Sequence, residues 1–131
     1  MLATVKVMTM KRRIFSNTLA VLTCLAAIQL SADVPPGQKQ EVEHLISYLE
    51  TSSCLMIRNG GSHEGAEAAK HVRRKYNYFR DDIGSTEEFI ELSATKSTMS
   101  SKSYEVHCPG EPPMNSADWL LAELEVYRGE R

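Results

Sequence analysis

Three basic residues, Lys11, Arg12 and Arg13, stand directly before seventeen uncharged ones, Ile14 to Leu30, whose apolar centre runs from Leu19 to Ile28. Small residues Ser31 and Ala32 follow, then the polar, proline-bearing stretch Asp33-Val34-Pro35-Pro36-Gly37. A charged block, an apolar core and a small-residue exit are the three parts of a secretory signal peptide. The basic end stays cytoplasmic while the apolar core enters the bilayer. A membrane-spanning helix wants about 20 predominantly apolar residues, and Asn17, Thr18 and Gln29 dilute this run. The reading is a cleavable signal over 1–32 and a single α+β domain over 33–131. Leu30 stands where a cut after Ala32 prefers a smaller residue, so an uncleaved anchor is the alternative. A lipid-modified Cys24 is disfavoured by the Thr before it and the apolar residues after it. Met10, opening the run Met-Lys-Arg-Arg, offers an alternative start.

This division changes the charge that matters. Four of the fifteen basic residues and none of the seventeen acidic ones fall within 1–32. The remainder carries eleven against seventeen, a net charge of −6 with histidine neutral. Such a domain lacks the dominant basic face of a general nucleic-acid binder. Two cysteines remain, Cys54 and Cys108. In an oxidising compartment two thiols in a small domain most often form one structural bridge. They are not a C-x-x-C pair, so a redox-active motif finds no support.

Periodicity gives the elements. Val42, Leu45, Ile46 and Leu49 make one apolar stripe on a helix over about 37–52, with Glu41, Glu43, His44 and Glu50 expected toward solvent. Cys54 to Asn59 reads as a short strand running into a Gly60-Gly61 turn. A second helix is expected from Ser62 or His63 to about Asp81, burying Ala68, Ala69, Val72, Tyr76 and Phe79. Ser85-Thr86-Glu87-Glu88 is a capping-box signature opening a third helix to about Thr95. Lys96 to Ser103, rich in Ser and Thr, reads as a loop. Tyr104 to Cys108 alternates as a second strand, stopped by Pro109-Gly110. A last helix runs from Asn115 or Ser116 to about Tyr127, with Ala117, Leu120, Leu121, Leu124 and Tyr127 inward. Bridging Cys54 to Cys108 sets the start of one strand beside the end of the other, as in an antiparallel pair. The expected fold is therefore α+β, about four helices around a two-stranded antiparallel ribbon.

Arg58-Asn59-Gly60 stands before a helix bearing His71-Val72-Arg73-Arg74-Lys75-Tyr76, and Glu88-Phe89-Ile90, Tyr104, Cys108-Pro109-Gly110 and Ser116-Ala117-Asp118-Trp119-Leu120 follow. Together these segments resemble the YfeK-like family of small exported bacterial proteins, a domain of unknown function. The resemblance spans most of the chain after the signal and implies a Gram-negative periplasmic setting. It carries over no activity, substrate or catalytic residue.

The candidate ligand site is Arg58-Asn59-Gly60-Gly61. A glycine-bearing turn at a helix N-terminus offers free N–H groups and a positive dipole end to an anion. Arg58 would add a bidentate clamp on a carboxylate or phosphate. The competing account is an ordinary tight turn, with Arg58 on a surface carboxylate and Glu64 at the dipole. Arg73-Arg74-Lys75 is expected to be a solvated face with local ion pairs, since successive helical residues diverge. The four histidines, His44, His63, His71 and His107, form no H-x-x-x-H pair, so no metal or cofactor is assigned. No G-x-S-x-G elbow appears and no catalytic residue is assigned. Tyr76, Tyr78, Phe79 and Trp119 are expected in the core. These features point to a non-enzymatic periplasmic binding or interaction module whose partner is an envelope protein or small anionic ligand. Nucleic acid is not expected as a partner, nor a membrane once the signal is cleaved. The alternative is an envelope enzyme or anion-binding protein centred on the Arg58 turn.

Overall fold

The computed structural model describes residues 33–131. The expected signal segment, with Cys24, Met10 and Leu30, lies outside the described residues. Helix α1 (Pro36–Thr51) begins with Pro36 in its first turn, where a missing N–H removes nothing the helix would use. Strands β1 (Leu55–Arg58) and β2 (Gly61–Glu64) form a hairpin that runs directly into α2 (Gly65–Phe79). A 3₁₀ turn (Arg80–Asp82) leads to α3 (Thr86–Ala94). Strands β3 (Glu105–His107) and β4 (Met114–Asn115) precede α4 (Ser116–Gly129).

The four strands lie in the order β2-β1-β3-β4, every neighbouring pair antiparallel. Leu55 opposes His107, so the Cys54–Cys108 disulfide extends the same register by one residue. Because side chains alternate along a strand, Met56 and Val106 are buried on one face while Leu55 and Glu105 stand exposed on the other. The helices cover the Met56 face. Their apolar stripes meet there in one core that includes Leu45, Leu49, Val72, Phe89, Tyr104 and Leu120, and every member lies between Val34 and Leu124.

Two local contacts fix the helix order. A Cβ on Gly65 would stand 2.4 Å from the Leu49 carbonyl oxygen and 3.0 Å from that of Glu50, so glycine alone lets α2 begin against the end of α1. At α3, the Ser85 hydroxyl accepts from the Glu88 amide at 3.1 Å, and the Glu88 carboxylate reaches back to the Gly84 amide at 2.6 Å. This is the reciprocal cap that the sequence signals, with Gly84 as the second donor.

The α+β class and the antiparallel pairing of β1 with β3 agree with the sequence expectation. The sheet has four strands rather than two. Gly61, expected in the turn, and residues 62–64, expected to open the second helix, instead form strand β2, because Asn59 and Gly60 both take positive φ, 50° and 80°. That is the pattern of a two-residue I′ hairpin turn, for which Asn-Gly is the strongest short signal. Three side chains also depart from expectation. Glu41 is buried at 4% exposure, because Arg128, Arg131 and Thr86 supply it with hydrogen bonds. Tyr78 is 81% exposed and Leu121 is 38% exposed. Trp119 holds the inner side of α4 instead, stacked on Tyr48 at 4.6 Å between centroids.

Candidate functional site

The hairpin turn changes what surrounds the four sequence-predicted residues. Arg58 closes β1 and pairs with Gly61 in β2, and four strand residues separate the turn from the first turn of α2. Asn59 and Gly60 therefore do not sit at a helix N-terminus. Asn59 instead ties the turn to the loop before β3: its amide donates to the Ser97 hydroxyl at 3.3 Å and its carbonyl accepts from the Ser100 hydroxyl at 2.6 Å. Gly60 and Gly61 are exposed. Arg58 alone turns toward chemistry, on the same strand face as buried Met56.

That face meets α2. His71 Nε2 lies 3.1 Å from the hydroxyl of Tyr104, whose ring is fully buried beneath it. Lys75 donates to the Lys96 carbonyl at 2.7 Å, and its ammonium sits 5.2 Å from the Tyr104 ring centroid and 6.0 Å from that of Phe79. Burial, then the charges of Arg58, Lys75, Arg74 and His63, pushes the His71 pKa down to about 4. Burial first, with Arg58 and Lys96 adding repulsion, lowers that of Lys75. Burial raises the Tyr104 phenol and nearby Arg58 opposes the rise. Arg58, Arg74, Lys75 and Lys96 thus act on one small volume.

Two adjoining hollows open there. One of about 380 Å³ is lined by His71, Arg74, Lys75, Tyr78, Phe79 and Thr98. A smaller one of about 180 Å³ shares Lys75, Phe79 and Thr98 and adds Lys96 and Glu91. A third hollow, near the disulfide, is bordered by Glu50 and Glu64 with no cation, and does not belong to this cluster.

Charge pairing separates this groove from the rest of the surface. Of the described Lys and Arg residues, Lys39, Arg73, Arg80, Arg128 and Arg131 each lie within 4.0 Å of a carboxylate. Arg58, Lys70, Arg74, Lys75, Lys96 and Lys102 have no such partner among the described residues. The expected ion pairs along Arg73-Arg74-Lys75 form only at Arg73, which reaches Glu43 at 2.8 Å. Arg58 does not take the surface carboxylate that an ordinary turn would give it. Uncompensated cations gathered around a neutral imidazole and a phenol form an anion-receptive surface. Periodicity places Arg74 outward and Lys75 at the core edge, but their convergence with Arg58 and Lys96 needs the tertiary fold. Among the described residues no group of three or more His, Cys, Asp or Glu side chains is arranged to hold a metal ion.

The fold and the groove define a small α+β domain with a Cys54–Cys108 disulfide and a cationic surface groove. The chain belongs to the family of unknown function DUF5329, which matches residues 36–128. It is also 30% identical over 86 residues to the uncharacterized protein YfeK of Salmonella typhimurium (strain LT2), covering 65% of this chain and 72% of that protein. No solved structure matches it.

Proposed function

We propose that the domain is an exported binding module whose ligand presents a phosphate or carboxylate to Arg58, Arg74, Lys75 and Lys96, with His71 and Tyr104 at the floor of the groove. The observation that carries this reading is the segregation of charge. In a domain with more acidic than basic residues, Arg74, Lys75 and Lys96 line the two hollows without carboxylate partners and Arg58 acts on His71, Lys75 and Tyr104 there. Lys39, Arg73, Arg80, Arg128 and Arg131 are paired elsewhere. An anion entering the groove would relieve the mutual repulsion that depresses His71 and Lys75. The periplasmic setting rests on the basic-then-apolar segment at 11–30, and it agrees with a Cys54–Cys108 disulfide. No helix among the described residues is long and apolar enough to cross a membrane.

Titration with inorganic pyrophosphate, followed by NMR, tests the reading. Shifts confined to His71, Lys75, Tyr104 and their neighbours, and abolished by Arg58→Ala with Lys75→Ala, are expected. Absence of shifts, or the same shifts in the double variant, would refute it.

A further inference from the structure

The two most exposed large hydrophobic side chains among the described residues are Met99, at 98%, and Tyr78, at 81%. Tyr78 belongs to the cationic groove itself, lining the larger hollow together with His71, Arg74, Lys75 and Thr98, and Met99 is the chain neighbour of Thr98, which lines both hollows. On α2, Lys70, Arg74 and Tyr78 are spaced four apart, so they form one outward stripe. Lys96 and Lys102 flank Met99 on the other side, at the ends of the loop before β3.

A lone exposed apolar residue is ordinary on a protein surface. Two of them ringed by cations that lack carboxylate partners are the composition of a membrane-interface patch. Tyrosine suits the headgroup layer, with its ring toward the acyl chains and its hydroxyl in water. Methionine is flexible enough to fill irregular apolar space. A soluble anion held in the groove would give Tyr78 and Met99 no reason to stand bare.

We propose that this face docks on an anionic phospholipid bilayer, with Tyr78 and Met99 seated among the headgroups and Lys70, Arg74, Lys75, Lys96 and Lys102 against lipid phosphates. The proposal rests on the anion-binding reading above and names the anion's source. It departs from the expectation, drawn from sequence, that the domain has no membrane contact once the signal is removed. Charge complementarity also fixes the orientation, because the rest of the domain is net acidic and turns away from such a surface. The acidic side chains near the patch are Glu91, which borders the smaller hollow, Glu67, one turn from Lys70 and His71 and engaged by His63 at 2.9 Å, and exposed Asp81 and Asp82, three and four residues beyond Tyr78.

The chain beginning at Asp33 holds the whole described core, so it is the form to test, with its fold checked by thermal melting. Co-sedimentation is measured with vesicles of phosphatidylcholine alone and of phosphatidylcholine mixed with phosphatidylglycerol. Binding only to the mixed vesicles is expected, weakened roughly fivefold for each of Arg74→Gln and Lys96→Gln. Tyr78→Ser with Met99→Ser should weaken it roughly tenfold or more, and Met99→Ser alone should weaken it while leaving the groove's response to pyrophosphate unchanged. Pelleting that ignores phosphatidylglycerol, or equal pelleting of the Tyr78/Met99 variant, overturns the docking surface. A groove that answers pyrophosphate while no vesicle binds leaves the anion site standing and removes the membrane from it. A groove silent to pyrophosphate, with no vesicle binding, removes both.

Discussion

Replacing Glu41 with Gln should remove a large share of the domain's stability, and more at neutral pH than at low pH. The Glu41 carboxylate is 4% exposed and accepts from Arg128 at 3.1 and 2.9 Å, from Thr86 at 2.6 Å, and from Arg131. It thereby joins α1 to the start of α3 and the end of α4. Chiefly through the Arg128 hydrogen bonds, and against the opposing effect of burial, its pKa falls from 4.5 to about 2. A difference of that size between folded and unfolded chains amounts to about 3 kcal/mol above pH 4.5. Removing one partner of a buried pair costs about 3–5 kcal/mol. Arg128 and Arg131 are themselves partly open to water and Arg128 keeps Glu87 at 2.6 Å, which brings the loss below that range, to about 2–3 kcal/mol. Domains of this size are stable by only about 5–15 kcal/mol. The sign follows from the lowered pKa: the stabilisation is fully present above pH 4.5 and disappears as pH falls toward 2. Urea unfolding of the wild type and Glu41→Gln at pH 7 and at pH 3 measures it. A midpoint shift equivalent to about 2–3 kcal/mol at pH 7, smaller at pH 3 and with an unchanged m-value, is expected. A loss below about 0.5 kcal/mol at pH 7, within the range of ordinary surface substitutions, would refute the argument.

Three further outcomes follow from the same geometry. His71 is held neutral, its pKa lowered from 6.5 to about 4, so the unfolded chain takes up the proton first. Stability should therefore fall as pH drops from about 6.5 to 4, and urea unfolding of His71→Asn should show a flatter slope across that window. Gly65→Ala forces a Cβ to within 2.4 Å of the Leu49 carbonyl. A loss of about 1–3 kcal/mol or more by thermal or urea unfolding is expected, and wild-type stability would contradict the close packing of α1 on α2. Reduction of Cys54–Cys108, separated by 54 residues, frees a loop whose closure entropy corresponds to roughly 4 kcal/mol as an upper figure. Melting with and without reductant measures it, and an unchanged Tm would refute a structural role.

The four helices were legible because each carries an apolar stripe long enough to register a 3.6-residue period. The β1–β3 pairing was legible through Cys54 and Cys108, whose bridge admits one strand arrangement. Strand β2 was not, because Gly-Ser-His-Glu has no apolar alternation and its pairing comes from a turn. The available signal was Asn59-Gly60, read as part of an anion-binding turn rather than as a hairpin. Glu41 stands one turn before Leu45 and borders the apolar stripe, but both the stripe of Val42, Leu45, Ile46 and Leu49 and its own charge put it toward solvent. The partners that decide the matter lie at 86, 128 and 131, beyond any local window. Tyr78 stands one turn beyond Arg74 on the outer stripe, so its spacing already opposed the core assignment that its ring suggested. Of the four predicted site residues only Arg58 acts on the groove, through its charge on His71, Lys75 and Tyr104. Its companions Arg74, Lys75 and Lys96 come from other elements, and their common lack of carboxylate partners is a property of the folded surface alone.

The pKa of His71, followed by NMR across pH with and without inorganic pyrophosphate, tests the central claim most directly. The imidazole lies among Arg58, Arg74 and Lys75, so an anion bound there must favour its protonated form. A value of about 4 in the free protein that rises when pyrophosphate saturates the groove is expected, with a smaller rise in Arg58→Ala. A His71 pKa that stays the same in the presence of pyrophosphate would contradict an anion site in this groove.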